Sequence, residues 1–316
     1  MLTAVAPSAK GQDIHFSQFD ANPALFNPAY VGFFDGNGRF GLVYRNQWAS
    51  VSQPFQTFAA TAEWALTRNR KHRNGLNVGL IFDSDRAGSL SYGITSVSGV
   101  VSFFQAVGDR GSTLLSAALL VGAGQSGYDD RNADLYDPAE RLEAPMVGFG
   151  KVGCGVALYH QFLDELNVKV GLSANNLNRP SISYLETEGV VLYPHFTTYV
   201  RGEYRVVESL SVMPLVAWQK QNQYNELVYG ADVKWYIDES YGRHLAFSAG
   251  ANFRHGDALM VNLAAEYNAM VITFSYDANV SYLATASHTI GAFEVGMVYR
   301  YSRQARSKKA ISCPIF

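Results

Sequence analysis

The 316-residue chain is poor in cysteine, in net charge and in long apolar runs. Its two cysteines, Cys154 and Cys313, stand far apart and form no metal-ligand spacing. They read as free thiols and could pair only if the fold brought them together. The longest nearly apolar stretch, Leu114–Gly124, is shorter than the roughly 18 residues that a spanning helix needs. Mean hydropathy is close to zero, which excludes a polytopic helical membrane protein. The net charge of -2 gives no electrostatic footprint for nucleic acid. Catalytic signatures are missing too: there is no G-x-S-x-G and no H-E-x-x-H, and the seven histidines are scattered. A barrel lipase would have to press His160 or His288 into service, and a rim histidine is ordinarily only polar. The chain therefore reads as a non-enzyme with no cofactor and no metal.

What is present is strand chemistry. The 19 Tyr, 19 Phe and 28 Gly are residues of sheets, interfacial girdles and close contacts. Hydrophobicity alternates with a period of two along most of the chain. Phe293, Val295, Met297, Tyr299 and Tyr301 share one face, opposite Glu294, Gly296, Arg300 and Ser302. Leu227, Tyr229, Ala231, Val233, Trp235 and Ile237 oppose Glu226, Gly230, Asp232 and Lys234 in the same way. Charges facing a dry core would each cost several kcal/mol unless paired. Charges lining a wet or salt-bridged lumen leave the apolar faces to meet lipid. The pattern thus predicts an all-β fold, a transmembrane antiparallel barrel of about 14 strands, in contact with outer-membrane lipid. Trp48, Trp64, Trp218, Trp235 and Tyr301 fall near strand ends, where girdle aromatics belong. The soluble alternative is a large β-sandwich.

The predicted strands run 39–48, 55–66, 75–83, 94–107, 113–124, 146–162, 165–175, 195–207, 209–219, 224–237, 243–255, 257–267, 270–279 and 290–303. Their even-numbered connections are short. Ser84–Ile94, Gln125–Pro145, Asn176–Pro194 and Val280–Thr289 are long, and all fall on the other side. Short periplasmic turns and long outer loops are the pattern of such barrels. The expected organisation is a tail over 1–11, a segment over 12–38 packing on the barrel, a barrel over 39–303 and a C-terminal tail over 304–316. Residues 1–11 read either as the end of a secretory signal peptide or as a disordered tail.

Three stretches are candidate sites. The segment 12–38 holds two Asn-Pro steps, Asn22-Pro23 and Asn27-Pro28, which are expected to block helix and favour turns. Phe16, Phe19, Leu25, Phe26 and Tyr30 need somewhere to bury, so the segment is expected to fold against the lumen or its periplasmic mouth. Arg45 and Gln47 on the first strand could hold it by hydrogen bonds, or Arg45 could pair with a lumen carboxylate. The turn Thr67–Asn74 carries Arg68, Arg70, Lys71, His72 and Arg73, either a docking patch for an acidic partner or solvated charge. The loop Gln125–Pro145 carries Asp129, Asp130, Asp134, Asp137, Glu140 and Glu143. Leu135 and Arg141 occupy positions where a calcium hand needs Gly and Glu, so a looser calcium site or a solvated acidic loop is expected instead.

The opening of the chain also carries a resemblance. Gln12–Phe19 reads QDIHFSQF, Ala21–Gly32 reads ANPALFNPAYVG and Tyr44–Trp48 reads YRNQW. Together they resemble the opening signature of the PorP/SprF family of type IX secretion proteins. Gly171–Leu177 (GLSANNL), Phe274–Asp277 (FSYD) and Cys313–Phe316 (CPIF) extend the similarity to the terminus. The resemblance implies an outer-membrane barrel of Bacteroidota that serves secretion or surface attachment of large adhesins, in some members with gliding motility. It implies periplasmic ring lipoproteins and a secreted surface adhesin as partners. The expected function is to anchor the secretion complex or its adhesin cargo; a passive or substrate-specific pore is the alternative.

Overall fold

The computed structural model describes residues 16–47, 54–68, 74–88, 91–108, 112–128, 146–183, 189–240, 243–280 and 290–302. Fourteen strands close into one barrel. They are β1 (Gly38–Gln47), β2 (Phe55–Ala65), β3 (Asn74–Ala87), β4 (Tyr92–Val107), β5 (Thr113–Gly127), β6 (Met146–Leu163), β7 (Leu166–Asn175), β8 (His195–Val207), β9 (Leu210–Gln221), β10 (Tyr224–Asp238), β11 (Leu245–Arg254), β12 (Ala258–Tyr267), β13 (Met270–Asn279) and β14 (Ile290–Tyr301). Each pairs antiparallel with its neighbours in sequence, and β1 closes on β14 with Gly38 opposite Tyr301 and Gln47 opposite Ala292. Closure leaves no edge strand, which lets a sheet sit in hydrocarbon with every ladder bond made.

The period-two pattern resolves into an apolar outside and an ionic inside. On β14, Phe293, Val295, Met297, Tyr299 and Tyr301 are 38–45% exposed, whereas Glu294 is 0% and Arg300 5% exposed. Large apolar residues on other strands point outward likewise: Leu119, Val121, Leu227, Phe247, Leu263 and Ile272 among them. This is the inverse of a soluble barrel and the arrangement that lipid stabilises. Trp64, Trp235 and Tyr301 ring the end bearing Gly38 and Tyr301, called here the terminal end; Trp218 lies towards the opposite, loop end. Trp48 lies outside the described residues.

Strand count and faces agree with the expectation, with one correction among the connections. Ser84–Ile94 is not a long loop: β3 and β4 stay paired as far as Ala87 opposite Tyr92. Ser84 and Thr95 bond across this extension at 2.9 Å, and Thr57 donates to Asp85 at 2.6 Å. Polar residues there broke the apolar alternation without breaking the ladder. Tight turns are built on left-handed residues, Asn222 between β9 and β10 and Asn268 between β12 and β13. At the loop end, Ile182 and Leu192 pack with the lumen-facing Phe149 in a small apolar cluster.

The main apolar core is not between layers but inside the lumen. Phe16, Phe19, Phe26, Tyr30, Val31 and Phe33 of the N-terminal segment pack there against Tyr159, Tyr199, Leu215 and other inward side chains.

Candidate functional site

The site is the interface between residues 16–37 and the lumen wall. The segment enters two brief helices, α1 (Pro23–Phe26) and a 3-10 turn over Pro28–Tyr30. The expectation that the Asn-Pro steps block helix is thereby corrected. Each proline stands in the first turn, where its missing N–H would have been unpaired anyway and its φ already suits a helix. What the prolines prevent is continuation of one helix into the next.

The asparagines before them do more than turn the chain. Asn27 Oδ1 accepts from Ala29 N at 2.8 Å and caps the 3-10 turn. Its Nδ2 donates to Val156 O at 3.0 Å and Leu172 O at 3.2 Å, on β6 and β7. Such an approach requires glycine in the wall: a Cβ on Gly155 would lie 2.1 Å from Asn27 Oδ1, and one on Gly171 2.8 Å from Nδ2. Asn22 sits over Gly41 and accepts from Thr61 Oγ1 at 2.7 Å. Further fastenings are Ser173 Oγ to Phe26 O at 2.6 Å, Ser102 Oγ to Val31 O at 2.6 Å and Gly32 N to the Glu63 carboxylate at 3.1 Å. Arg39 pairs with Glu63 at 2.8 Å, both buried, and also donates to Tyr30 O.

A second group of contacts is ionic. Ser17 N and Gln18 N both donate to Glu294, at 2.8 and 3.1 Å. Ser17 Oγ donates to Asp277 and accepts from Arg45 at 2.6 Å and Arg254 at 3.0 Å. Arg45 also pairs with Asp277 at 2.9 Å and Glu294 at 3.3 Å. Arg45 thus contacts both the segment and two lumen carboxylates. Gln47 differs. Among the described residues it accepts from Arg45, at 3.4 Å, and does not reach the segment. Asp20 pairs with Arg201 at 2.8 Å and accepts from Tyr199 at 2.5 Å. Enclosure in the lumen pushes the Asp20 carboxyl up, although its side chain keeps 40% of its surface exposed; Arg201, Lys169 and the Tyr199 hydroxyl outweigh it, and its pKa ends below the usual value. Burial and the nearby Asp20 charge push the Tyr30 phenol up.

Phe16 and Phe19 are buried, and Phe19 stacks on Phe26 with centroids 4.4 Å apart. Arg68 is turned towards the segment: it donates to Gly32 O at 3.2 Å and Phe34 O at 3.1 Å and covers the Phe34 and Phe104 rings. It thus clamps the segment where it leaves the barrel, a role hidden from composition because the charge count of the turn looks the same either way. Arg70, Lys71, His72 and Arg73 lie outside the described residues, as do Asp129, Asp130, Asp134 and Asp137. Sequence reasoning missed Ser17, Asp20, Glu63, Asp277, Glu294 and the wall glycines as contacts of the segment. The inward charges were visible by alternation, but their partners are up to 277 positions away. Among the described residues no group of three or more His, Cys, Asp or Glu converges as a metal site.

Beside residues 17–21 remains a cavity of about 120 Å³. Its walls come largely from β8–β14, with Arg201, Asp232, Lys234, Asn252, Asn262 and Thr273 among the lining side chains.

Among solved structures, similar folds include the Pseudomonas putida toluene transporter TodX, with TM-score 0.54 and 8% identity over 88% of this chain and 92% of that one. A deletion mutant of the TodX monoaromatic hydrocarbon channel gives TM-score 0.52 and 9% identity over 88% and 93%. At this identity the likeness shows the barrel fold alone. The curated proteins contain no match. The family model described as "Type IX secretion system membrane protein PorP/SprF" matches residues 8–299. The chain therefore belongs to the PorP/SprF family of type IX secretion system membrane proteins, and its place is the outer membrane.

Proposed function

We propose that this barrel is an anchoring component of the type IX machinery, holding the secretion complex or a secreted surface adhesin at the outer membrane rather than passing cargo through its own lumen. The observation that carries this reading is the course of residues 16–34 through the barrel interior, fastened to strands on both sides. A segment with buried aromatics, an ion pair to the wall and backbone contacts with it is a built part of the wall. In this reading the terminal end faces the periplasm, where its short turns meet ring lipoproteins. Arg70, Lys71 and Arg73 supply positive charge there for an acidic partner surface. The loop end faces outward, and the acidic stretch with Asp129, Asp130, Asp134 and Asp137 meets cargo. Gliding belongs to this reading only where the cargo is a motility adhesin.

The test is a crosslinked pull-down of the tagged protein from native outer membranes. Recovery of periplasmic ring lipoproteins or a large surface adhesin is the expected outcome. A barrel recovered without either, from membranes with working secretion, would overturn the proposal. Conductance tests the closed lumen separately: the full chain should be silent in a planar bilayer, and removal of residues 12–37 should open it.

A further inference from the structure

The hydrogen-bonded fastenings of the N-terminal segment divide around the barrel, although the Tyr30 ring also packs edge-on against Tyr199 of β8. Residues 22–34 are held by β1, β2, β4, β6 and β7, through the Asn22 and Asn27 contacts over wall glycines, Ser102, Ser173 and the Arg39–Glu63 pair. These strands lie within one contiguous half of the wall. Residues 17–20 instead reach β8, β11, β13 and β14, joined from the first half by Arg45 of β1 and by the charge of Lys169 on β7 beside Asp20. They cross the lumen as a strap. Their grip is ionic and hydrogen-bonded, apart from Phe19 between Phe26 and Tyr199.

The cavity lies between that strap and the β8–β14 wall; apolar atoms make most of its surface, and the charged side chains of Asp20, Arg201, Asp232, Lys234 and Glu266 are among its lining. Gln18, Arg201, Asn252, Asn262 and Thr273 also line it, and each has a buried polar atom with no hydrogen-bond partner among the described residues. Asp20 lines it with its side chain 40% exposed, and a space lined by exposed charged groups and larger than one water is wet.

We propose that the barrel contains a latent aqueous conduit along β8–β14 for inorganic ions and small uncharged polar solutes, gated by residues 16–21 while residues 22–34 stay in place. The conduit is a second activity of the barrel, and it rests on the closed-lumen reading above. Its balanced lining, with Arg201 and Lys234 against Asp232 and Glu266, disfavours strong selection for one sign of charge. Opening requires release of the Ser17, Gln18 and Asp20 contacts, withdrawal of the buried Phe16 and a swing of Phe19 off Phe26 and Tyr199. The glycine-seated half need not move.

Three chains reconstituted in planar bilayers test this, with KCl and uncharged oligosaccharides as probes and heat-modifiable gel mobility as the check on folding. The full chain should be silent. A chain lacking residues 12–21 should conduct KCl yet exclude the larger oligosaccharides, and one lacking residues 12–37 should pass both. S17A/D20A, which keeps the chain intact, should raise the open fraction about tenfold or more, the effect of losing one or two buried charged hydrogen bonds. In a C154S/C313S background, N262C should react faster with a membrane-impermeant thiol reagent once residues 12–21 are removed. Silence of the 12–21 deletion, with conduction by the 12–37 deletion, would overturn the gate and leave the closed-lumen reading standing. Conduction by the full chain would overturn that reading itself.

Discussion

Asn27 Oδ1 occupies the space where a Cβ on Gly155 would stand, 2.1 Å away. The carboxamide of the segment and the bare backbone of β6 are therefore one fitted contact. Gly155→Ala forces Asn27 back, away from Val156 O and Leu172 O, and presses on Pro28. The expected cost is about 1–3 kcal/mol, as for other overpacked sites. Asn27→Ala should also destabilise, by about 1–3 kcal/mol through its lost bonds. In the double variant the clash with the Asn27 carboxamide is gone and only the tight contact with Pro28 remains, so the combined loss should be smaller than the sum. Urea unfolding of the four proteins measures this. Strict additivity would mean that the two residues do not meet.

Glu63 is the carboxylate on which Arg39 and Gly32 N converge, and it is 1% exposed. Glu63→Ala leaves the Arg39 guanidinium buried with carbonyl partners only. Breaking such a pair costs about 3–5 kcal/mol. Arg39→Met/Glu63→Met should recover much of the loss, because no unpaired charge remains. Equal instability of the single and double variants would contradict the pairing.

Asp20 makes stability depend on acid. Its folded pKa lies below its ordinary value, so the unfolded chain takes up a proton first as pH falls. The contribution is fully present above the unfolded pKa, about 3.9. It is lost as pH falls through the lower folded value. Urea midpoints of the wild type and Asp20→Asn should therefore converge below about pH 3.9 and stand apart at pH 6. Parallel curves over that window would show that Arg201 and Tyr199 do not hold this carboxylate.

Leu263 is 51% exposed on β12, midway along the strand. If its face meets hydrocarbon, Leu263→Arg should cost about 2–4 kcal/mol in vesicles, the figure for a midplane arginine on a barrel. The same change on a water-facing wall would be nearly silent. Folding of the variant into liposomes, compared with Leu263→Ala, separates the two.

Much of the architecture was legible because strand alternation is local. Phe293, Val295 and Met297 face lipid for the same reason that Glu294 does not: successive side chains on a pleated strand point to opposite sides. The spacing of such runs yielded fourteen strands and the expectation of long and short connections. It failed at Ser84–Ile94, where polar residues continue the ladder into the loop end and hydrophobicity no longer reports the strand. It failed again at Pro23 and Pro28, which start helices rather than exclude them.

The site was half legible. The aromatic load of residues 16–34 demanded burial, and Arg45 stood on the right face to receive it. Neither showed that Ser17 would meet Glu294, 277 positions away, or that Gly155 and Gly171 leave room for Asn27. Those pairings depend on barrel closure and on the register of every strand between. The sequence alone determined which side chains face in and which face out, because that alternation belongs to each strand by itself. Only the tertiary structure decided which inward charges meet and that the segment's aromatics fill the lumen, because those contacts exist only once β1 has closed on β14.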